Sequence, residues 1–424
     1  MIFNKLHDLF LKCNGVSIDT RSIKKDSLFF SLKGDNFDGK NYALEVLKKG
    51  AKYAVVDNKN LSNPNFIKVE NALASLQKLS SYHRSKLTST KIIAITGSNG
   101  KTTTKELIHQ VLKAKYKTSS TIGNLNNHVG VPLTLLKIKK SSDFAIVEMG
   151  ANHIGEIKFL TNLIKPDIGY ITNFGKAHLE GFGGYKGVIK GKSELYNWLL
   201  ENNKPALINI EDKLQLEFLN AKGITFGKTK KAEFIFQIDQ NDDFITVNYK
   251  NFKINTNLIG SYNFSNVQAA ISFGLYFKID IILIKNAIEN FKPKNNRSEF
   301  ITRNNKKIIL DAYNANPTSM KLAIDSFMKF SGSKILILGD MLELGRYSNN
   351  EHQRIIDVLE KINVKTYLVG NEFYNLKKQS IKILFFKTKK DLIFEISQNK
   401  VKEKNILIKG SRGMRMEDVL EKIQ

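Results

Sequence analysis

Between Ile93 and Ile108 the chain reads IAITGSNGKTTTKELI, an apolar run that breaks into small residues and then into a helix-like segment. Gly97 and Gly100 bracket Ser98 and Asn99, and Lys101, Thr102 and Thr103 follow. Glycines permit positive φ and close approach of backbone to an anion. The N–H groups of such a turn and of the helix it opens point at phosphate, aided by the helix dipole. Lys101 has the reach for β- and γ-phosphates, and the Thr102 hydroxyl suits Mg2+. This is the chemistry of a nucleoside triphosphate site. The common phosphate loop has another glycine five positions before its Gly-Lys pair, and here that position is Ile95.

Other residues carry matching chemistry. Glu148 ends the apolar run FAIVEM (144–149), and a carboxylate at the carboxyl end of a parallel strand is placed to ligate Mg2+. His178 lies after a third apolar run, among Gly175, Gly181, Gly183 and Gly184. In TIGNLNNHVGVPLTLL (121–136), Asn124, Asn126 and Asn127 precede an apolar helix. Their amides suit sugar hydroxyls, amides or phosphates, and equally suit capping the loop. Lys192, in a helix-like run with Glu194, reads by its own chemistry as surface charge.

The elements that must position these groups alternate along the chain. Strands are expected at 52–57, 91–96, 144–149, 168–173, 205–210, within 306–313, and at 334–339, 366–370 and 405–410. Amphipathic stretches at 265–277 and 318–330 lie between them. Such alternation predicts an α/β protein with parallel sheets covered by helices on both faces. The segment 232–257 alternates like β-hairpins and is expected to decorate the central part. A polar patch at 85–90 and the charged, Pro- and Asn-containing stretch 292–300 suggest three domains, 1–87, 88–294 and 295–424.

Composition narrows the class. Hydrophobic residues make up 42% of the 424, enough for sizeable cores. The single cysteine, Cys13, allows no internal disulfide and fits a reducing compartment. The first residues, interrupted by Lys5, His7, Asp8 and Lys12, lack the apolar core of a signal peptide. No run approaches the roughly 20 apolar residues of a membrane span, so a cytoplasmic setting is expected. The net charge of +26 would suit a nucleic-acid-binding NTPase, but only eight of the 66 basic residues are arginines and no basic block interleaved with aromatics occurs. The lysines read as a coat on a globular surface, whose positive field helps to attract anionic substrates; no nucleic-acid partner is expected.

Seven segments, TGSNGKTTT, GNLNNHVGVPLTLL, EMGANHIGEI, NFGKAHLEGFG, DAYNANPTSM, LGDMLELG and KGSRGMRMEDV, resemble in this order the Mur ligase superfamily. They are most similar to its branch that adds D-alanyl-D-alanine to UDP-N-acetylmuramoyl-tripeptide in peptidoglycan precursor synthesis. The superfamily uses the shorter loop Gly97-Ser98-Asn99-Gly100-Lys101-Thr102, which places Ile95 in the strand. The resemblance implies a small α/β UDP-binding domain, a central P-loop ATPase-like domain with a mainly parallel sheet, and a Rossmann-like C-terminal domain. It implies ATP, two Mg2+ ions and an acyl-phosphate intermediate, with ADP and phosphate released, in a monomer.

By this similarity Lys101 holds the phosphates, Thr102 and Glu148 the first Mg2+, and His178 and Lys192 the second, with Lys192 matching a lysine carbamylated by CO2. Asn263 matches an asparagine near adenine, Asp311 a ribose-binding aspartate, and Arg297 an arginine that reaches the γ-phosphate from the C-terminal domain. Asn314 and Asn316 are implied to bind the dipeptide, and Ser411 and Arg412 a carboxylate. Ser17, Thr20, Arg21, Gly34 and Phe37 resemble the UDP-binding segment, 16–39. A folylpolyglutamate synthase-like ligase is disfavoured by the 90 residues before Lys91, and a ligase adding the third peptide residue by the lack of an Asp-Asn-Pro-Arg motif.

Overall fold

The computed structural model describes residues 3–34, 37–58, 60–220, 222–239 and 243–423. Lys91–Thr96 forms a strand with all but its first residue buried. Its side chains alternate between two cores, as a pleated strand requires. Ile93 and Ile95 pack with Leu107, Ile108 and Val267 on one face, while Ile92 and Ala94 pack with Val131, Leu160 and Leu195 on the other. Burial on both faces is why such a parallel strand reads as one continuous apolar run. Each fully buried aliphatic side chain contributes roughly 1.5–3 kcal/mol.

This strand lies inside a seven-stranded sheet. The order is Phe234–Ile235, Ile224–Gly227, Ala206–Asn209, Ile168–Ile171, Lys91–Thr96, Phe144–Glu148 and Thr118–Ser120. Every ladder in it is parallel. From Lys91–Thr96 the chain runs out to Thr118–Ser120, returns through Phe144–Glu148, and then crosses to Ile168–Ile171 on the other side. The carboxyl end of Lys91–Thr96 is therefore a topological switch point, where loops part and leave a crevice.

A second sheet has the order Glu299–Arg303, Lys306–Asp311, Asn405–Lys409, Lys334–Gly339, Lys365–Val369, Ile383–Phe386. Its first pair is antiparallel and the rest are parallel. The last strand of the chain slots between Lys306–Asp311 and Lys334–Gly339, which sets Lys409 beside Asp311. A smaller parallel sheet near the N-terminus has the order Val16–Ser17, Leu28–Phe30, Tyr53–Val56, Phe66–Lys68.

All nine expected strands and both helices are present, within three residues at the ends; the largest difference is the helix expected at 318–330, which is Pro317–Phe327. The hairpins expected at 232–257 are an antiparallel sheet of Gln237–Asp239, Phe244–Tyr249 and Phe252–Ile259, and residues 240–242 lie outside the described residues. Residues 35 and 36 of the segment 16–39 also lie outside them. The polar patch 85–90 is not a loose connection. Leu87 is buried in the central core, and the Thr90 hydroxyl donates to Ser142 O at 2.8 Å. No described helix is long and apolar enough to cross a membrane.

Candidate active site

The loop after Lys91–Thr96 turns at two glycines. Gly97 has φ +137° and Gly100 φ +78°, and side chains would collide at both. A Cβ at Gly97 would sit 2.0 Å from Thr172 Oγ1, and one at Gly100 2.6 Å from Asn266 Oδ1. Ile95 is fully buried and paired with Glu148 in the ladder, so the first turn glycine falls at 97. Asn266, not anticipated from sequence, supports the second: it accepts from the Thr104 hydroxyl at 3.0 Å and donates to Asn263 Oδ1 at 2.8 Å. Asn263 is itself anchored to Ile259 O at 2.8 Å.

Helix Lys101–Lys113 starts at this loop. The Lys101 ammonium donates to Gly97 O at 2.8 Å and Ser98 O at 3.1 Å. Desolvation lowers its pKa; the Glu148 carboxylate opposes this, and the Arg297 charge adds to it. Lys101, Glu148, Arg297 and Asp311 line one cleft, so both sheets reach the same place.

Glu148, 1% exposed, accepts at Oε1 from Thr102 Oγ1 at 3.1 Å and from Asn126 Nδ2 at 2.8 Å. Its Oε2 is buried without a hydrogen-bond partner. An unpaired buried carboxylate oxygen is costly unless a cation meets it. The nearest cation is Lys105 Nζ at 4.0 Å, a fully buried lysine tied to Thr121 O and Glu106. A hydroxyl and a carboxylate with a spare oxygen suit Mg2+, which takes oxygen ligands and keeps waters or phosphate oxygens for the remainder.

The second expected metal pair is different. His178, at φ +52°, turns its Nδ1 against the Glu343 carboxylate, whose pKa that contact lowers. Lys192 is not a surface charge, as its sequence surroundings suggested: it is 1% exposed, behind the segment 150–152. Its Nζ donates to Ala151 O at 3.0 Å and lies 5.1 Å from the Phe182 ring. Burial first, then the Lys101 charge, push its pKa well below 10.5 against the pull of Glu156 and Glu194. Among the described residues no three His, Cys, Asp or Glu side chains gather at one metal position. A histidine and an unmodified amine do not fit Mg2+, so a second ion fits here only if Lys192 carries the carbamate.

Across the cleft, Asp311 accepts from Ser298 N at 3.1 Å and pairs with Lys409 Nζ at 2.5 Å. The Arg297 guanidinium lies 3.4 Å over the Tyr313 ring. Ser411 Oγ accepts from Leu342 N at 2.8 Å, and Arg412 pairs with Glu417. Asn314 is exposed at the cleft, whereas Asn316 is buried and hydrogen-bonded to Asn99. Together these walls enclose a cleft of about 1110 Å³, lined also by Ser98, Thr103 and Asn124.

The three asparagines of the 121–136 loop divide their roles. Asn126 orients Glu148, Asn124 lines the cleft, and Asn127 braces the turn that leads into the next helix by accepting from Val129 N and Gly130 N. Ser17, Thr20, Arg21, Gly34 and Phe37 do not line this cleft. Arg21, largely exposed, makes a two-pronged pair with Asp19, whose pKa it lowers to about 2, and Phe37 stacks on Tyr42 at 5.1 Å. Sequence reasoning missed Lys105, Asn266, Glu343 and Lys409. Of these, only Asn266 had a local signal, three residues after Asn263 on a helix start.

Three family models match the chain: Mur ligase family, catalytic domain, over residues 12–86; Mur ligase middle domain over 95–274; and Mur ligase, glutamate ligase domain, over 296–412. A UDP-N-acetylmuramoyl-tripeptide–D-alanyl-D-alanine ligase of Bacillus subtilis is 34% identical, covering 96% of this chain and 92% of the relative. The Escherichia coli protein of the same name is 31% identical, covering 97% and 94%. Among solved structures, MurF from Acinetobacter baumannii superposes with a TM-score of 0.89 at 28% identity, over 99% of this chain and 97% of that one. A MurF ligase from Thermotoga maritima in complex with ADP gives 0.85 at 26% identity, over 98% and 97%.

Proposed function

The chain belongs to the Mur ligase family, and from that premise we propose that it joins D-alanyl-D-alanine to UDP-N-acetylmuramoyl-tripeptide at the expense of ATP. One observation carries the reading: Lys101 and the half-bonded Glu148 on the central sheet face Arg297 and Asp311 of the C-terminal sheet across a single cleft. A carboxylate is a poor electrophile, and phosphorylation gives it a leaving group. An oxygen of the tripeptide carboxylate bonds to the γ-phosphorus, the bond to the bridging oxygen breaks, and ADP departs. The dipeptide amine then attacks the acyl carbon, loses a proton, and phosphate leaves with the electrons of the C–O bond.

In this proposal Lys101 and the loop N–H groups of 97–103 hold the phosphates, Asn263 lies near adenine, Asp311 holds ribose, and Arg297 reaches the γ-phosphate. Thr102 and Glu148 would hold a first Mg2+, and His178 with carbamylated Lys192 a second. These ions supply charge neutralisation between two anions and alignment of the phosphate oxygens. The low pKa of Lys192 supports the modification, because a neutral amine is the form that adds CO2. Asn124 and Asn126 would meet the tripeptide, and Asn314, Ser411 and Arg412 the dipeptide. Ser17, Thr20, Arg21, Gly34 and Phe37 would bind UDP on 1–87, with ATP on 88–294 and the dipeptide on 295–424. The proposed setting is the cytoplasm and the proposed state a monomer.

Phosphate release tests this directly. It is expected only with ATP, D-Ala-D-Ala and a UDP-tripeptide together. Release without the dipeptide, or in answer to DNA or RNA, overturns the reading. Parallel assays with lysine- and diaminopimelate-containing tripeptides identify the third residue.

A further inference from the structure

Asn316 caps helix Pro317–Phe327. Its Oδ1 accepts from Ser319 N at 2.9 Å, and its own N–H donates to Ser319 Oγ at 3.1 Å. Its Nδ2 donates to Asn99 Oδ1 at 2.6 Å, a bond from the C-terminal part to the phosphate loop, 217 positions away. At 6% exposure, with both ends of the carboxamide committed, Asn316 has little capacity left for a ligand.

Asn99 is held as firmly from its other side. Its carbonyl accepts from Thr172 Oγ1 at 2.6 Å and Asn173 Nδ2 at 2.9 Å, and its N–H donates to Asn173 Oδ1 at 3.2 Å. Gly175 fits between the two parts: a Cβ there would lie 2.6 Å from Asn99 Nδ2 and 3.2 Å from Thr318 Cβ. Next to it, Lys176 N donates to Thr318 Oγ1 at 2.9 Å, and Lys176 Nζ reaches Glu351 at 2.7 Å. The start of helix Pro317–Phe327 therefore rests on the loops after Lys91–Thr96 and Ile168–Ile171, the two strands that flank the switch point.

We propose that Asn316 is a positioning residue that couples the phosphate loop to the docking of the C-terminal sheet. The Asn99–Asn316 bond exists only when the two are docked, and docking is what brings Arg297 and Asp311 to the cleft. A loop wrapped on a nucleotide fixes the Asn99 carboxamide and so favours docking; by linkage, docking tightens nucleotide binding equally. This rests on the nucleotide-site reading above, and it gives Asn316 a task other than contact with the dipeptide.

The test separates cap from coupling. Asn316→Ser keeps an N-cap oxygen but is too short to reach Asn99, and Asn99→Ser shortens the other end. ADP binding is measured by calorimetry with neither tripeptide nor dipeptide present. Asn316→Ser is expected to weaken ADP roughly five- to tenfold, within the usual range of such couplings, while the unliganded chain still unfolds cooperatively with no more than the small loss of one hydrogen bond. The double variant should bind ADP no more weakly than Asn99→Ser alone, because the second change removes a bond already lost. Asn316→Thr, also cap-competent and short, must match the serine variant. Wild-type ADP affinity in Asn316→Ser with a raised KM for D-Ala-D-Ala alone overturns the proposal and makes Asn316 a dipeptide ligand. Additive losses in the double variant overturn it as well. Failure of the wild-type chain to bind ADP removes the nucleotide-site reading, and this proposal with it.

Discussion

Gly97→Ala is the sharpest test of how this loop differs from the common phosphate loop. The new methyl would lie 2.0 Å from Thr172 Oγ1, 2.9 Å from Thr172 N and 3.1 Å from Asn173 N. The hydroxyl can rotate away, but it then gives up its 2.6 Å bond to Asn99 O, worth about 1 kcal/mol. The backbone nitrogens cannot rotate, since Thr172 N is bonded to Thr96 O at the end of the ladder. A non-glycine residue held at φ +137° adds strain of about 1–3 kcal/mol. The sum, about 3 kcal/mol, corresponds to roughly a hundredfold in affinity if the loop leaves its phosphate-binding shape. Calorimetric titration with ADP measures that loss, and thermal melting registers whatever strain the folded loop retains. Adding Thr172→Ala should recover only part, because the contact with the backbone nitrogen persists. Ile95→Gly should give no gain in ADP affinity and should lower stability, since Ile95 fills the core. Wild-type affinity and wild-type melting in Gly97→Ala together would refute the assignment of the turn to Gly97.

Three other outcomes follow from the site. Burial holds the Lys192 pKa in the folded chain well below 10.5, so between that lowered value and 10.5 the unfolded chain binds one more proton than the folded one. In bicarbonate-free buffer the wild-type chain should therefore gain stability as pH rises toward 10.5, by up to about 1.4 kcal/mol per unit from this group. Lys192→Met should lack that component and be more stable near neutrality; equal slopes in denaturant titrations would defeat the argument. Glu148→Gln should raise the Mg2+ concentration for half-maximal rate by roughly 10- to 100-fold without lowering the metal-free melting temperature, as the unpartnered Oε2 then carries no charge. Lys409→Met leaves Asp311 without its cation and should cost about 3 kcal/mol in chemical denaturation, with a raised KM for ATP; an unchanged denaturation midpoint would count against the pair.

What could be read from the sequence depended on whether a local pattern fixes a side chain's direction. Strands such as Lys91–Thr96 and Lys334–Gly339 were legible because helices cover both faces and leave an unbroken apolar run. Leu28–Phe30, inside its sheet, and Phe66–Lys68, at the edge of the same sheet, were not, because three residues are too few for any period to show. The same division runs through the site. Gly100, Lys101 and Thr102 announce themselves because a strand–turn–helix junction dictates where each group points. Asn127 is readable as a turn-forming residue from its place three residues before the helix that starts at Gly130. One residue earlier, Asn126 serves Glu148, a partner 22 positions away that only the sheet order supplies. Lys192 is the extreme case. Among lysines spread over the whole chain, nothing in its neighbours distinguishes it, yet helix Tyr185–Glu201 turns it inward behind Ala151. Lysine is seldom fully buried without a partner charge, and Lys192 has one carbonyl. The proposed carbamate would give such a group a reason to be kept, whereas stability alone would be served better by a methionine.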